Sequence, residues 1–125
     1  MKNDSGYNES MLQRVYEQIN TVGLGDNVIV TASRFQEESI RCQLGNKVSI
    51  VLEPERRDTF PAIALSVAYL YYIKKCSRDS VVAILPVDPY ANNSYFEKIK
   101  ELENIISDGI ANIALLGVKP TYPSE

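Results

Sequence analysis

A loop of charged side chains offers the clearest chemistry in this chain. Residues 53–59 read EPERRDT, and five of these seven side chains are charged. Arg56 and Arg57 can each give two parallel hydrogen bonds to a phosphate or to the edge of a base. The same arginines can instead pair with neighbouring carboxylates, and such pairs on exposed loops are common. The residue types therefore indicate anion binding and leave local ion pairing open.

A second candidate, Asp88, follows an apolar run. Residues 81–85 are all apolar, and Asp88 comes shortly after them, between Val87 and Pro89. A carboxylate at the carboxyl end of a strand can hold a Mg²⁺ ion that bridges phosphate oxygens. An Asp in a proline-flanked turn is, however, more often a turn residue that bonds to nearby backbone. Both interpretations stay open on residue type alone.

The composition narrows the kinds of chemistry. The chain has 125 residues, a formal net charge of −3 and no histidine. Ser-His-Asp catalysis, Cys-His catalysis and His-ligated metal sites are therefore excluded. The length predicts one domain, and the acidic balance argues against a nucleic-acid partner. We expect neither a membrane span nor a signal peptide, and we expect Cys42 and Cys76 to be free thiols in the cytoplasm.

The hydrophobic periodicity predicts helices that alternate with strands. Ser10, Ser33 and Ser94 each begin a capping-box pattern, and Asp58 or Thr59 can cap a further helix. The predicted helices are residues 10–23, 33–44, 59–75 and 94–108, and the predicted strands are residues 27–31, 47–52, 81–85 and 112–117. This order is typical of an α/β domain with a parallel sheet, in which ligands bind at the carboxyl ends of the strands. Residues 1–9 are polar, and we expect a flexible lead-in there.

Three stretches, in order, resemble those of the mannose-1-phosphate guanylyltransferase family of sugar nucleotidyltransferases. They are residues 50–65, IVLEPERRDTFPAIAL; residues 84–88, ILPVD; and residues 117–125, GVKPTYPSE. The predicted first helix, which begins SMLQRVYE at residue 10, is also similar to the first helix of the family. The first and third stretches are specific to the family. The stretch that contains Asp88 is shared by sugar nucleotidyltransferases in general.

The resemblance implies an activity and a site. It implies a Rossmann-like nucleotidyltransferase fold, in which a sugar phosphate oxygen attacks the α-phosphorus of GTP. GDP-mannose forms from mannose 1-phosphate, and pyrophosphate leaves. Asp88 matches the residue that binds Mg²⁺ or another divalent cation. The residues that match the nucleotide-binding segment are Glu53, Arg57, Asp58, Thr59, Pro61 and Ala62.

The chain also departs from the family pattern. Asp58, Phe60 and Pro89 stand where members often have Asn, Ala and His, which affects the base contacts. We find no counterpart of the family's first strand and Gly-rich triphosphate loop before Met11. We therefore expect residues 1–125 to be one partial catalytic domain, inactive alone, whose sheet lacks its first strand. Its unpaired strand edges predict a homo-oligomer. The alternative is a non-catalytic α/β module that binds a ligand or a partner.

Overall fold

The chain combines helices with a small parallel sheet, and the computed structural model describes residues 8–88 and 90–119. Within those ranges the regular elements are α1 (Met11–Thr21), β1 (Ile29–Ser33), α2 (Glu37–Leu44), β2 (Ser49–Glu53), α3 (Thr59–Tyr72) and α4 (Asn93–Ser107). A short 3-10 turn, Arg34–Gln36, joins β1 to α2. The α/β class predicted from the sequence is confirmed. In this part of the chain no helix is long and apolar enough to cross a membrane.

The sheet consists of β1 and β2, which pair in parallel with Ser33 opposite Glu53. α3 packs on both strands. At this contact the hydroxyl oxygens of Thr31 and Ser66 lie 2.5 Å apart. Ser66 donates its single hydroxyl hydrogen to the carbonyl oxygen of Ala62, at 2.7 Å. Thr31 must therefore be the donor to Ser66, and this bond ties α3 to the sheet.

Two of the predicted capping boxes are confirmed. Gln13 donates its backbone N–H to the Ser10 hydroxyl at 3.1 Å, and the Gln13 side-chain carbonyl accepts from the Ser10 N–H at 3.0 Å. The Gln36 side-chain carbonyl likewise accepts from the Ser33 N–H at 3.0 Å, at the start of the 3-10 turn. Local side chains thus set the beginnings of α1 and of the turn after β1.

The capping box predicted at Ser94 is wrong, because α4 begins earlier in the sequence. Asn92 is the N-cap, and its side-chain oxygen accepts from the backbone N–H of Tyr95 at 3.3 Å. The Ser94 hydroxyl donates to the same oxygen at 2.6 Å. Both residue types cap helices well, and Asn92 reaches the free N–H of the first turn, which leaves Ser94 inside the helix.

The best-buried apolar cluster lies between α1 and α4. Phe96 of α4 is only 2% exposed and packs with Val15 and Ile19 of α1. Leu85 and Ala91, both half-buried, pack against the same cluster. The segment between these two residues is therefore attached to the pair of helices at both of its ends.

Two predicted strands are wrong. Residues 81–85 and 112–117 have the apolar sequence of strands but belong to no ladder. In the described ranges no backbone hydrogen bond involves either segment. Several of their side chains are exposed, from 37% at Val81 to 87% at Leu115. An apolar run becomes a strand only where a neighbour takes up its N–H and C=O groups, and among residues 8–88 and 90–119 neither run has such a neighbour.

The hydrogen bond between Thr31 and Ser66 can be tested by a double-mutant cycle. Ser66→Ala leaves the Thr31 hydroxyl without its acceptor and should lower the free energy of unfolding by about 1 kcal/mol. Adding Thr31→Val removes that unpaired hydroxyl, so the double variant should lose less than the sum of the single losses. Urea unfolding of the four proteins measures this coupling. Strict additivity would contradict the bond.

Candidate functional site

The predicted nucleotide-binding residues lie at the carboxyl end of the sheet. Glu53 is the last residue of β2 and is half-buried, and residues 54–61 after it are exposed. We call residues 54–58 the β2–α3 loop. Because Ser33 lies opposite Glu53, the 3-10 turn after β1 begins beside this loop. The segments that follow the two parallel strands thus begin at the same edge of the sheet, its carboxyl end. Ligand sites of α/β sheets are expected at this edge.

Asp58 has the most strained backbone of this loop. Its φ is 73° and its ψ is −176°, a combination that glycine adopts almost exclusively. Such a conformation costs about 1–3 kcal/mol for other residues, and such outliers cluster at ligand sites. The Asp58 carboxylate accepts from the N–H of Thr59 at 3.1 Å, so Asp58 is the N-cap of α3. This confirms one of the two caps that the sequence predicted.

The first turn of α3 has fewer free backbone N–H groups for an anion than a helix N-terminus normally offers. The N–H of Thr59 already bonds to Asp58, and Pro61 has no N–H. In the described residues the N–H of Phe60 makes no hydrogen bond outside the helix. Of the N–H groups from Thr59 to Pro61, that of Phe60 therefore remains for a ligand among the described contacts. An anion bound here must take its further hydrogen bonds from side chains.

Arg57 is the side chain best placed to provide them. Its guanidinium donates to one oxygen of Glu55, from Nη2 at 2.7 Å and from Nε at 3.0 Å. Both side chains are mostly exposed. An exposed pair of this kind contributes about 0–1 kcal/mol, so a phosphate can displace Glu55 from Arg57. Arg56 is exposed and, within the described ranges, forms no ion pair.

Asp88 lies in an exposed bend. Within the described residues it has no hydrogen bond or ion pair to that loop. Three residues after Asp88, the carbonyl oxygen of Ala91 accepts a hydrogen bond from Arg14 of α1 at 2.9 Å. Gln18 donates to the same oxygen at 2.9 Å. The residues from Glu53 to Ala62 thus lie together at one edge of the sheet, and within the described residues no hydrogen bond or ion pair joins Asp88 to them.

Arg14 is a residue of this region that the sequence did not single out. Its guanidinium carbon lies 3.5 Å from the centre of the Tyr90 ring, a cation–π contact two residues after Asp88. In the sequence Arg14 is an ordinary charged residue on an amphipathic helix. Its partners are more than seventy positions away. We find no sequence signal that could have identified it.

Two further features limit what the site can hold. In the described part of the chain no three His, Cys, Asp or Glu side chains lie close enough to bind a metal together. A concavity of about 430 Å³ lies along α2, and its lining includes none of the predicted site residues. Its lining residues are Arg34, Glu37, Glu38, Arg41 and Cys42. The candidate site is thus a group of exposed, charged side chains at the carboxyl end of the sheet.

Comparison with known proteins supports the resemblance seen in the motifs. The chain is 28% identical over 123 residues to mannose-1-phosphate guanylyltransferase of Escherichia coli, an alignment that covers 91% of this chain and 25% of that protein. It is 26% identical over 123 residues to a Vibrio cholerae protein that provisionally carries the same name, with 96% and 26% covered. The similarity to this kind of protein is therefore confirmed over nearly the whole chain.

The similarity is limited in extent. The chain spans about a quarter of the length of these curated relatives. No protein-family model matches it, and no solved structure matches it. The fold beyond the two-stranded α/β arrangement, and the function, are therefore inferred from the residues and their geometry.

The strain at Asp58 can be separated from its capping role by three substitutions. Asp58→Gly loses the cap but relieves the backbone, so it should be at least as stable as the native protein. Asp58→Ala loses the cap and keeps the strain, so its free energy of unfolding should fall by about 1 kcal/mol. Asp58→Asn keeps a capping oxygen and should be nearly neutral. Urea unfolding measures all three, and equal losses in Gly and Ala would contradict the strain.

Proposed function

We propose that this chain forms the nucleotide-binding part of an enzyme that makes GDP-mannose from mannose 1-phosphate and GTP. The observation that carries the proposal is the strained Asp58 at the carboxyl edge of the sheet, within the stretch that most resembles guanylyltransferases. Strain of this kind persists at ligand sites, where it holds side chains and backbone ready for binding. We further propose that β1 and β2 belong to a Rossmann-like nucleotidyltransferase sheet.

Glu53 is half-buried at the end of β2, and its carboxylate suits the base of GTP. Guanine presents two adjacent donors, N1–H and the 2-amino group, and a carboxylate accepts two parallel hydrogen bonds. Adenine presents no such pair, so Glu53 gives a reason for a guanine preference. The exposed first turn of α3 offers Pro61 as an apolar surface beside the ribose, with Thr59 and Ala62 next to it.

Arg57 and the N–H of Phe60 supply the positive side of the site. Arg57 exchanges its weak pair with Glu55 for a phosphate oxygen of the nucleotide. A guanidinium and a backbone donor at a helix start both favour an oxyanion. The proposed role of these groups is to hold the triphosphate in line with the incoming sugar phosphate.

The proposed reaction needs no covalent intermediate on the protein. A phosphate oxygen of mannose 1-phosphate attacks the α-phosphorus of GTP. The bond from that phosphorus to the oxygen bridging the β-phosphate breaks, and pyrophosphate leaves. Catalysis of this kind rests on positioning and charge stabilisation. It therefore agrees with a chain that has no histidine.

Asp88 is the proposed contact for a divalent cation. Mg²⁺ commonly takes one or two carboxylates from a protein and fills its other positions with phosphate oxygens and water. A single exposed Asp without an ion pair in the described residues fits that mode of binding. When bound there, Mg²⁺ neutralises charge on the phosphates. We propose that Arg14 helps to position Asp88, because it bonds to the carbonyl oxygen of Ala91 three residues further along the chain.

The role of Arg57 can be tested by nucleotide affinity. Arg57→Ala should weaken GTP binding about tenfold, since a charge-assisted hydrogen bond contributes about 1.5–3 kcal/mol. Arg41→Ala is a matched control, because Arg41 also forms an exposed pair with a nearby carboxylate, Glu37, at 3.1 Å. Isothermal titration of both variants and the native chain gives the affinities. Equal affinities for the two variants would contradict this role.

The role of Asp88 can be tested by the metal dependence of GTP affinity. Asp88→Asn removes the charge but keeps the size, so it should abolish most of the gain in affinity that Mg²⁺ gives the native chain. Affinity measured in EDTA should be the same for both proteins. The matched control is Asp79→Asn, at another exposed Asp. A full Mg²⁺ gain in the Asp88→Asn protein would exclude Asp88 as the metal contact.

A non-catalytic binding module is the second candidate. It is favoured by the strained Asp58 and by the exposed pair of Arg57 with Glu55, since both also suit a module that binds another anion. The two functions give different results with nucleotides. The enzyme part binds GTP better than ATP and better with Mg²⁺. A module for another ligand shows neither preference.

A further inference from the structure

Two side chains of α1 bond to one backbone carbonyl that follows Asp88. The oxygen of Ala91 accepts from Nη2 of Arg14 at 2.9 Å and from Nε2 of Gln18 at 2.9 Å. A carbonyl oxygen has two lone pairs, so side chains of a single helix take up both of them. All three of these residues are half-buried. The bonds join positions 77 and 73 residues apart in the sequence, so they are tertiary contacts and not local turn bonds.

Each of the two donors also contacts a second residue of the same stretch. The guanidinium carbon of Arg14 lies 3.5 Å from the centre of the Tyr90 ring. Nε2 of Gln18 donates to Oδ1 of Asn93 at 3.1 Å. Arg14 and Gln18 are four positions apart on α1, so both act from one face of that helix. We call these two side chains and their contacts with Tyr90, Ala91 and Asn93 the α1 clamp.

The chain that precedes Asp88 is attached to the same pair of helices. Leu85 is half-buried and packs against the apolar cluster between α1 and α4, as Ala91 does. Asp88 is three positions from Leu85 and three positions from Ala91. An extended chain spans at most about 3.6 Å per residue, so Asp88 stays within about 11 Å of each attachment. The α1–α4 pair and the α1 clamp therefore limit the positions that Asp88 can take.

Such a limit matters for a single carboxylate that binds a cation. If the chain around the carboxylate moves freely, binding must first order its backbone, and ordering one residue lowers the affinity about tenfold. A chain that is already held loses little freedom on binding, so its affinity is higher. The planar guanidinium of Arg14 suits this task, because it can donate to a carbonyl oxygen while it lies on an aromatic ring.

We propose that Gln18 is a positioning residue which, together with Arg14, holds Asp88 ready for a divalent cation on the phosphates of the nucleotide. This role rests on the proposed function, and it makes α1 the element that sets the affinity for the metal. Neither side chain of the α1 clamp touches the cation or the nucleotide. Loss of the clamp should therefore reduce the gain in GTP affinity that Mg²⁺ gives, and it should leave the affinity in EDTA unchanged.

Gln18→Glu tests the clamp with almost no change in side-chain size. Glutamate has no side-chain N–H, so both bonds of Gln18 are lost and a negative charge faces the Ala91 oxygen. The Mg²⁺ gain, measured by isothermal titration with GTP, should fall about tenfold. The matched control is Gln13→Glu, because Nε2 of Gln13 likewise donates from α1 to a backbone carbonyl, that of Gln43, at 3.0 Å. The control should keep the full Mg²⁺ gain.

Two substitutions of Arg14 separate its charge from its shape. Arg14→Lys keeps the positive charge, but an ammonium group cannot bond to the carbonyl and lie flat on the Tyr90 ring together, so part of the Mg²⁺ gain should be lost. Arg14→Met keeps only the aliphatic bulk and should lose more of the gain. Urea unfolding of each variant shows that the protein measured is folded. Equal gains in native, Lys and Met proteins would contradict the clamp.

Backbone order in the metal-free chain gives a readout that needs no ligand. The nitrogen-15 order parameters of Asp88 and Ala91 should be near the value of about 0.85 for rigid backbone in the native chain, and they should fall in Gln18→Glu. Unchanged order at Asp88, or a full Mg²⁺ gain in Gln18→Glu, would overturn the clamp and leave the nucleotide site standing. A native chain that gains no GTP affinity from Mg²⁺ would contradict the cation contact at Asp88, and the clamp's role with it.

Discussion

The parallel pairing of β1 with β2 is the constraint on which the rest of the structure depends. It places Ser33 opposite Glu53, so the two segments that follow the strands start at one edge. α3 returns across the same pair and is fixed to it by the bond from Thr31 to Ser66. The start of α3, where Asp58 lies, is thereby held above the carboxyl end of β2. A slip in register would move every one of these groups.

The features that the sequence predicted well are those with local causes. The capping box at Ser10 and the start of α3 at Asp58 depend on residues within three positions of each other. The strands predicted at residues 81–85 and 112–117 failed because pairing depends on a neighbour elsewhere in the chain, which an apolar run does not specify. The contact between Arg14 and Ala91 was missed for the same reason.

The candidate site combines a strained backbone with weakly held side chains. Asp58 stores conformational energy at the helix start, and Arg57 is engaged only in an exposed pair with Glu55. The sequence identified Asp58 and Arg57 as site residues. It could not predict the positive φ of Asp58 or the ion pair of Arg57 with Glu55, because both depend on the path of the loop between β2 and α3. Leu85 and Ala91, on either side of Asp88 in the sequence, pack against the cluster between α1 and α4.

Residue-resolved amide shifts during titration with GTP and Mg²⁺ test the proposed nucleotide site most directly. We expect the largest changes at Glu53, at residues 57–62 and at Asp88, with saturation at lower concentration for GTP than for ATP. Changes at Asp88 should require Mg²⁺, whereas those in the β2–α3 loop should persist in EDTA. Absence of any change, or changes confined to the concavity along α2, would contradict a nucleotide site at the carboxyl edge of the sheet.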